Sequence, residues 1–123
     1  GSRDRPTVDE AYERAFADID ADPRNVLVVA EDNGEVVACM QITYIPGLGR
    51  HGTERCQIEA VRVRSDRRGQ GLGRQFMTWA IERARKRGCG LVQLTSDKSR
   101  VDAHRFYARL GFVASHEGMK LAL

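Results

Sequence analysis

The sequence predicts a single α/β domain in which a mixed central β-sheet is flanked by helices. One indication is the strand–turn–helix–strand pattern of residues 54–95, because a crossover helix joins two parallel strands. Another is the pair of apolar runs at residues 25–30 and 35–45, which are joined by Asp-Asn-Gly at 32–34 and predict an antiparallel hairpin. A chain of 123 residues has room for one hydrophobic core, so we assign residues 1–123 to one domain.

The chain is predicted to begin with an amphipathic helix that ends before Pro23. Thr7 followed by Glu10 is a capping-box sequence, which is typical of a helix start. Behind it, apolar residues with helical spacing predict one apolar stripe: Val8, Ala11, Tyr12, Ala15, Phe16 and Ile19.

The middle of the chain predicts a loop, a strand and a long helix. Residues 46–52 are rich in turn-forming residues, and this loop is interpreted equally well as a substrate contact or as a simple exposed turn. A third strand is predicted from Glu54 to Arg64. The helix that follows ends at about Arg87, where Gly88 is expected to cap it.

The last third of the chain predicts a short strand at residues 91–95 and a final helix. Ser99 followed by Asp102 is a second capping-box sequence, and Gly111 is expected to end the helix. Residues 112–115 and 119–123 then predict a closing hairpin. The final helix carries its apolar residues on one face: Ala103, Phe106, Tyr107 and Leu110.

The composition is that of an ordinary globular protein with a local basic patch. The formal charge is +3, from 20 Lys and Arg against 17 Asp and Glu, which is too small to argue for a nucleic-acid partner. No apolar run reaches the length of a membrane span and no signal-peptide pattern opens the chain, so we expect a cytoplasmic protein without a membrane partner. The three cysteines and three histidines lack metal-ligand spacing, so we expect reduced thiols and no metal.

A glycine-rich turn lies between the third strand and the helix that follows it. Helix N-termini bind phosphate because their first N–H groups are unpaired. The glycine spacing differs from the dinucleotide fingerprint, and no Lys-Ser or Lys-Thr pair follows a glycine as a Walker loop requires. What remains is Arg-x-x-Gly-x-Gly at residues 68–73, which predicts a pyrophosphate site. Four arginines add full charges around it: Arg64, Arg67, Arg68 and Arg74.

This motif, together with a second one, resembles the Gcn5-related N-acetyltransferase (GNAT) family. Residues 68–73 are similar to the family's coenzyme A loop, and residues 103–112, with their Tyr-x-x-Leu-Gly-Phe ending, are similar to its last helix. The resemblance covers roughly residues 25–123 and implies the GNAT fold with acetyl-CoA as co-substrate. Family members open with a strand before the first helix, so we expect that first strand to be missing here.

The resemblance also implies which residues hold acetyl-CoA. In the family, a bulge separates this third strand from the next one, and the N–H groups of Val61 and Val63 would then bond the thioester carbonyl and the pantetheine arm. Arg100 stands where the family often has an asparagine and would reach a phosphate. The predicted cofactor-binding set is Val61, Arg62, Val63, Arg68, Gly69, Gln70, Gly71, Leu72, Gly73, Arg74 and Arg100.

Two side chains are candidates for the proton transfers. Glu59 would accept the amine proton, directly or through water; the alternative is an ordinary strand carboxylate paired with an arginine. The resemblance implies that Tyr107 protonates the departing thiolate, whereas its helical spacing alone equally favours a core tyrosine.

We therefore expect an N-acetyltransferase that acetylates a primary amine of a small molecule by direct attack in a ternary complex. Residues 102–107 with Ser115-His116, and loosely residues 57–59, resemble the aminoalkylphosphonate N-acetyltransferases within the family. The alternatives are a non-catalytic coenzyme A sensor or regulatory module, and an acyltransferase that uses another acyl-CoA. A nucleic-acid-binding domain is the least favoured interpretation, and the sequence leaves a homodimer open.

Overall fold

The computed structural model describes residues 8–123, with side chains from Glu10 onwards. Thr7, the first residue of the predicted capping box, lies outside the described residues. The elements in chain order are helix α1 (Val8–Ala21), strands β1 (Asn25–Asp32) and β2 (Glu35–Ile45), the single turn α2 (Gly49–Gly52), strand β3 (Arg55–Val63), a 3-10 turn (Ser65–Arg67), helix α3 (Leu72–Arg87), strand β4 (Leu91–Gln93) and helix α4 (Val101–Arg109).

The four strands form one mixed sheet in the order β1-β2-β3-β4. Strand β2 pairs antiparallel with both β1 and β3, whereas β4 pairs parallel with β3. The predicted hairpin is confirmed: Asn33 and Gly34 have φ angles of 52° and 80°, as a two-residue turn with positive φ at both central positions requires.

Helix α3 covers one face of this sheet, and the core lies between them. Met77 and Ala80 on the helix are fully buried in one cluster with Met40, Ile42 and Ile58 from the strands. The end of the helix is also as predicted. Gly88 adopts a φ of 90° and donates its N–H to the last carbonyls of the helix, which only a residue without Cβ does at low cost.

The apolar stripe of α1 is not covered by the described residues. Tyr12 and Phe16 are 72% and 58% exposed, although their helical spacing predicted a buried face. Leu27 and Val29 on the neighbouring strand β1 also point away from the core and are half-exposed. Helical periodicity predicts the element correctly but does not by itself supply the surface that covers its apolar side.

The predicted closing hairpin was wrong. After Gly111 the chain continues to Leu123 without a helix or strand, and Met119 and Leu121 are almost fully exposed. Alternating apolar residues predicted a strand here, but a strand also needs a neighbour for its backbone N–H and C=O groups. None of the described strands pairs with residues 112–123.

The loop predicted at residues 46–52 is present, whereas two smaller details, at strand β4 and helix α4, differ from the predictions. The loop at 46–52 contains a tight turn in which Arg50 and His51 both have positive φ. Strand β4 ends at Gln93, two residues early. Helix α4 begins at Val101 without a side-chain cap, because the Ser99 hydroxyl donates to the Asp97 carboxylate at 2.6 Å instead. That bond holds the pKa of Asp97 below its ordinary value.

Candidate active site

A bulge interrupts strand β3 at Ala60. Cys39 on β2 faces Arg62, but Gln41, two residues further along β2, faces Glu59, three residues back. The extra residue is accommodated because Ala60 adopts a φ of +54°, an unfavourable conformation for a residue with a side chain. The bulge that the family resemblance implied is therefore present, and it lies directly after Glu59.

Strand β4 ends three residues before the level of the bulge. The parallel pairing covers only residues 55–57 of β3, against 91–93 of β4. Beyond it, the Arg64 N–H bonds the Val37 carbonyl of β2 at 2.8 Å. Because N–H groups alternate between the two edges of a strand, those of Val63 and Val61 are directed to the opposite edge. None of the described strands pairs with this edge beyond Gln57, and we call the space there, past the end of β4, the opening between β3 and β4.

The glycine-rich turn lies at the end of this opening. Gly69 and Gly71 have φ angles near 80°, and a Cβ built on either would meet no atom within 4 Å. The first hydrogen bond of α3 runs from Gln75 N–H to Gly71 O, so the N–H groups of residues 72–74 have no acceptor within the helix. The backbone therefore presents uncovered donors on an open surface, which suits a pyrophosphate group.

The four arginines of the turn divide into two pairs with different surroundings. Arg64 pairs with Glu35 at 2.9 Å and with Asp66 at 2.6 Å, and Arg67 pairs with Asp32 at 2.7 Å. The bonds to Asp66 and Glu35 raise the pKa of Arg64, and the bonds to Glu35 and Asp32 tie the turn to the β1–β2 hairpin. Arg64 and Arg67 therefore anchor the turn. The sequence had suggested instead that they add free charge around the pyrophosphate site.

Arg68 and Arg74 are the two arginines of the turn without a carboxylate partner among residues 10–123. Arg68 donates to the Val63 carbonyl at 3.3 Å, and so lies across the free edge of β3. Arg62 likewise donates to the carbonyl of Val61 at 2.9 Å. Arg100, predicted to reach a phosphate, is exposed at the start of α4.

At Gly73 the first turn of α3 lies close to helix α4. A Cβ at this position would lie 3.5 Å from the Phe106 ring and 4.0 Å from a methyl group of Val63. The first turn of α3 therefore approaches α4 and β3 closely, and Gln70 and Leu72 lie on either side of Gly71 in the same segment. These contacts place the second half of α4, around Phe106, beside the end of β3.

Tyr107 lies on α4, half-buried next to the core. Its ring makes edge-on contacts with Phe106 and Phe112, at centroid distances of 5.3 and 5.8 Å. These contacts fix the ring, as the interpretation of a core tyrosine requires.

Glu59 is exposed and is not paired with an arginine among the described residues. Its carboxylate accepts a hydrogen bond from the Gln57 amide at 3.4 Å, and Gln57 in turn accepts one from Gln93 at 2.9 Å. Gln57 and Gln93 form the last rung of the β3–β4 pairing. Alternation along β3 placed Gln57 and Glu59 on one face, but the bridge to Gln93 depends on a strand register that the sequence does not reveal.

Ser96 is a further residue that sequence reasoning missed. It follows β4, and its hydroxyl is buried without a hydrogen-bond partner among the described residues. A buried hydroxyl normally finds a partner, so this atom has bonding capacity for a bound molecule. No sequence pattern marks it, because serine is common in such loops.

The cysteines are free thiols, and one of them is fully buried. Burial raises the pKa of the Cys56 thiol to about 11, so it remains protonated at neutral pH. Cys39 and Cys89 are also free. Within the described residues, His, Cys, Asp and Glu side chains form no group of three that could hold a metal ion, and none of the helices combines the length and apolar character needed to cross a membrane.

Comparison with known proteins shows the family to which this chain belongs. Residues 2–112 match the Acetyltransferase (GNAT) family. The aminoalkylphosphonate N-acetyltransferase of Salmonella typhimurium (strain LT2) is 36% identical, with 87% of this chain and 69% of that one covered. The glucosamine 6-phosphate N-acetyltransferase 1 of Oryza sativa subsp. japonica is 31% identical over 94% of this chain and 70% of that one.

Solved structures agree on the fold. A structure described as a transcriptional regulator from Bacillus halodurans C-125 is 52% identical, has a TM-score of 0.88, and is matched over 92% of this chain and 75% of that one. This chain spans only about half the length of two further curated relatives. The chain belongs to the GNAT acetyltransferase family, and its class is that of an N-acetyltransferase.

Proposed function

We propose that this protein transfers the acetyl group of acetyl-CoA to a primary amine of a small molecule, by direct attack in a ternary complex. The observation that carries the proposal is the opening between β3 and β4, which begins at the Ala60 bulge and ends at the uncovered N–H groups of the glycine-rich turn. A site of this shape combines donors for a thioester carbonyl with donors for a pyrophosphate.

Acetyl-CoA would be held by backbone groups first and by arginines second. The N–H groups at 69–74 would bind the pyrophosphate, with Arg68, Arg74 and Arg100 adding charge. The N–H groups of Val61 and Val63 would orient the pantetheine arm and stabilise negative charge that develops on the carbonyl oxygen. Removal of one such donor costs other enzymes on the order of 10²–10³ in rate.

Two proton transfers complete the mechanism. Glu59, beside the bulge, would take the amine proton directly or through one water molecule. Tyr107, whose ring is fixed by Phe106 and Phe112, would give a proton to the leaving thiolate. Positioned general acids and bases contribute roughly 10²–10⁴ each to such reactions.

The names of two relatives support a small acceptor. Aminoalkylphosphonates and glucosamine 6-phosphate both carry an amine and an acidic phosphorus group. We place this protein's acceptor among small primary amines, with aminoalkylphosphonates as the first candidates because that relative is the more similar of the two.

A second candidate function is a non-catalytic coenzyme A sensor or regulatory module. It is favoured by one observation, the 52% identity to a protein described as a transcriptional regulator. The two functions differ in turnover, because a sensor binds acetyl-CoA without releasing its thiol.

The experiment that separates them is an assay of thiol release from acetyl-CoA over a panel of amines. The panel contains aminoalkylphosphonates, glucosamine 6-phosphate, polyamines, amino acids and aminoglycosides. We expect release with at least one primary amine and no release without it. Tight acetyl-CoA binding with no turnover on any of these amines would favour the sensor.

A further inference from the structure

A cavity that is open to solvent lies at the C-terminal end of helix α3. It has a volume of about 390 Å³ and is lined by Pro23, Val26, Tyr44, Arg83, Lys86 and Arg87. The helix rises about 1.5 Å per residue, and the lining residues Arg83 to Arg87 lie 11 to 15 residues beyond Leu72, so the cavity is separated from the glycine-rich turn by roughly 16–22 Å. One small molecule that fills the cavity therefore does not reach the turn.

Positive charge around this cavity exceeds negative charge. Arg83, Lys86 and Arg87 lie within one turn of the helix and are all exposed. Arg87 is bonded to Glu54 at 2.6 Å, whereas Arg83 and Lys86 have no carboxylate partner among residues 10–123. Like charges at such spacing repel one another, and a bound anion would relieve that repulsion.

Tyr44 is the most deeply buried of the residues that line the cavity. Its side chain is nearly all buried, at 6% exposure, and the Arg87 guanidinium lies 3.9 Å from the ring centre. Burial raises the pKa of Tyr44, with Arg83 and Arg87 opposing that change, so the hydroxyl is protonated at neutral pH. Tyr44 is one of the lining residues of the cavity, and a protonated phenol is a hydrogen-bond donor for a ligand held there.

We infer that this cavity is a binding site for a small molecule that carries a phosphate or carboxylate group. The anionic group would take charge-assisted hydrogen bonds from Arg83 and Lys86 and one from the Tyr44 hydroxyl. An apolar portion of the ligand would contact Pro23 and Val26. The site is separate from the acetyl-CoA site and does not depend on the proposed transferase activity.

The test is a calorimetric titration with phenyl phosphate at constant ionic strength, on protein saturated with coenzyme A. We expect saturable binding at one site, because coenzyme A then occupies the glycine-rich turn. The double variant Arg83→Gln/Lys86→Gln should bind at least about tenfold more weakly. Tyr44→Phe, which keeps the ring and the core, should weaken binding about threefold or more.

Arg85→Gln is the matched control. Arg85 lies on the same turn of α3, is paired with Glu82, and does not line the cavity. Its removal should leave binding within about twofold. Equal weakening by Arg85→Gln and the double variant, absence of saturation, or loss of binding in the presence of coenzyme A would each overturn the inference.

Discussion

At the scale of single residues, Gly90 sets how closely two segments approach. A Cβ at this position would lie 2.0 Å from the Thr53 methyl carbon, and the Gly90 N–H bonds the Glu54 carbonyl at 2.9 Å. We expect Gly90→Ala to lower the free energy of unfolding by roughly 1–3 kcal/mol, since the Thr53 side chain has to move. Chemical denaturation measures this change.

Two further variants make that prediction specific. Thr53→Ser removes the clashing methyl group but keeps the hydroxyl that bonds the Arg50 carbonyl, so it should recover much of the lost stability in the Gly90→Ala background. Gly118→Ala, at a glycine with open space around it, should change little. No recovery in the double variant would refute the proposed contact.

The proposed catalytic residues also belong to this scale. Tyr107→Phe and Glu59→Gln should each lower kcat by about 10²-fold or more, while the KM for acetyl-CoA changes little, because neither residue is assigned to cofactor binding. Steady-state kinetics at several pH values checks both. Tyr12→Phe and Glu31→Gln, at exposed positions on α1 and β1, are matched controls. Unchanged kcat at every pH in either test variant would remove that residue from the mechanism.

At the scale of elements, the bulge in β3 depends on the positive φ of Ala60. Glycine adopts this conformation freely, so Ala60→Gly should keep full activity. Valine at φ +54° is strained, so Ala60→Val should flatten the bulge or unfold it locally and lower kcat at least about tenfold. Amide hydrogen exchange on residues 59–63 would report the change in the strand. Full activity of the valine variant would contradict the role given to the bulge.

The glycine-rich turn gives a second prediction at this scale. Arg68→Gln and Arg74→Gln should each raise the KM for acetyl-CoA by about three- to tenfold, because each removes one charge that has no carboxylate partner among residues 10–123. Arg85→Gln should leave the KM for acetyl-CoA unchanged, because Arg85 lies near the other end of α3 and is paired with Glu82. Initial rates at varied acetyl-CoA concentration measure this, and equal KM values in all three variants would exclude a role for these charges.

The strand and helix order could be predicted because each element carries its own pattern. Asn33-Gly34 predicted the β1–β2 hairpin, and the glycines before and after α3 predicted where that helix begins and ends. The prediction of a hairpin after Gly111 was wrong. Alternating apolar residues along 119–123 are compatible with a strand, but they do not supply a second strand for it to pair with. The anchoring of Arg64 by Glu35 could not be predicted either, because it depends on the distance between two segments that lie far apart in the sequence.

At the scale of the whole molecule, exposed ion pairs make stability depend on pH. The bond to Arg87 holds the pKa of Glu54 below its ordinary value of 4.5, and the bond to Arg64 holds the pKa of Asp66 below its ordinary value of 3.8. A carboxyl whose pKa is lower in the folded state stabilises that state above its unfolded pKa. The contribution is lost as the pH falls through the folded pKa.

We therefore expect Tm to decrease as the pH is lowered below about 4.5, and to decrease less steeply in Glu54→Gln. Thermal unfolding between about pH 3 and 7 measures this difference, with Glu31→Gln as a control for the loss of one surface carboxylate. A pH dependence that is identical in wild type and Glu54→Gln would show that this pair does not contribute.

The central claim concerns the whole site, in which acetyl-CoA and the amine are held together at the opening between β3 and β4. The most direct test is the initial-rate pattern of thiol release when both acetyl-CoA and the accepted amine are varied. Direct attack in a ternary complex predicts double-reciprocal lines that intersect, with no acetylated enzyme detected by mass spectrometry. Parallel lines, together with protein heavier by one acetyl group after incubation with acetyl-CoA alone, would contradict the account.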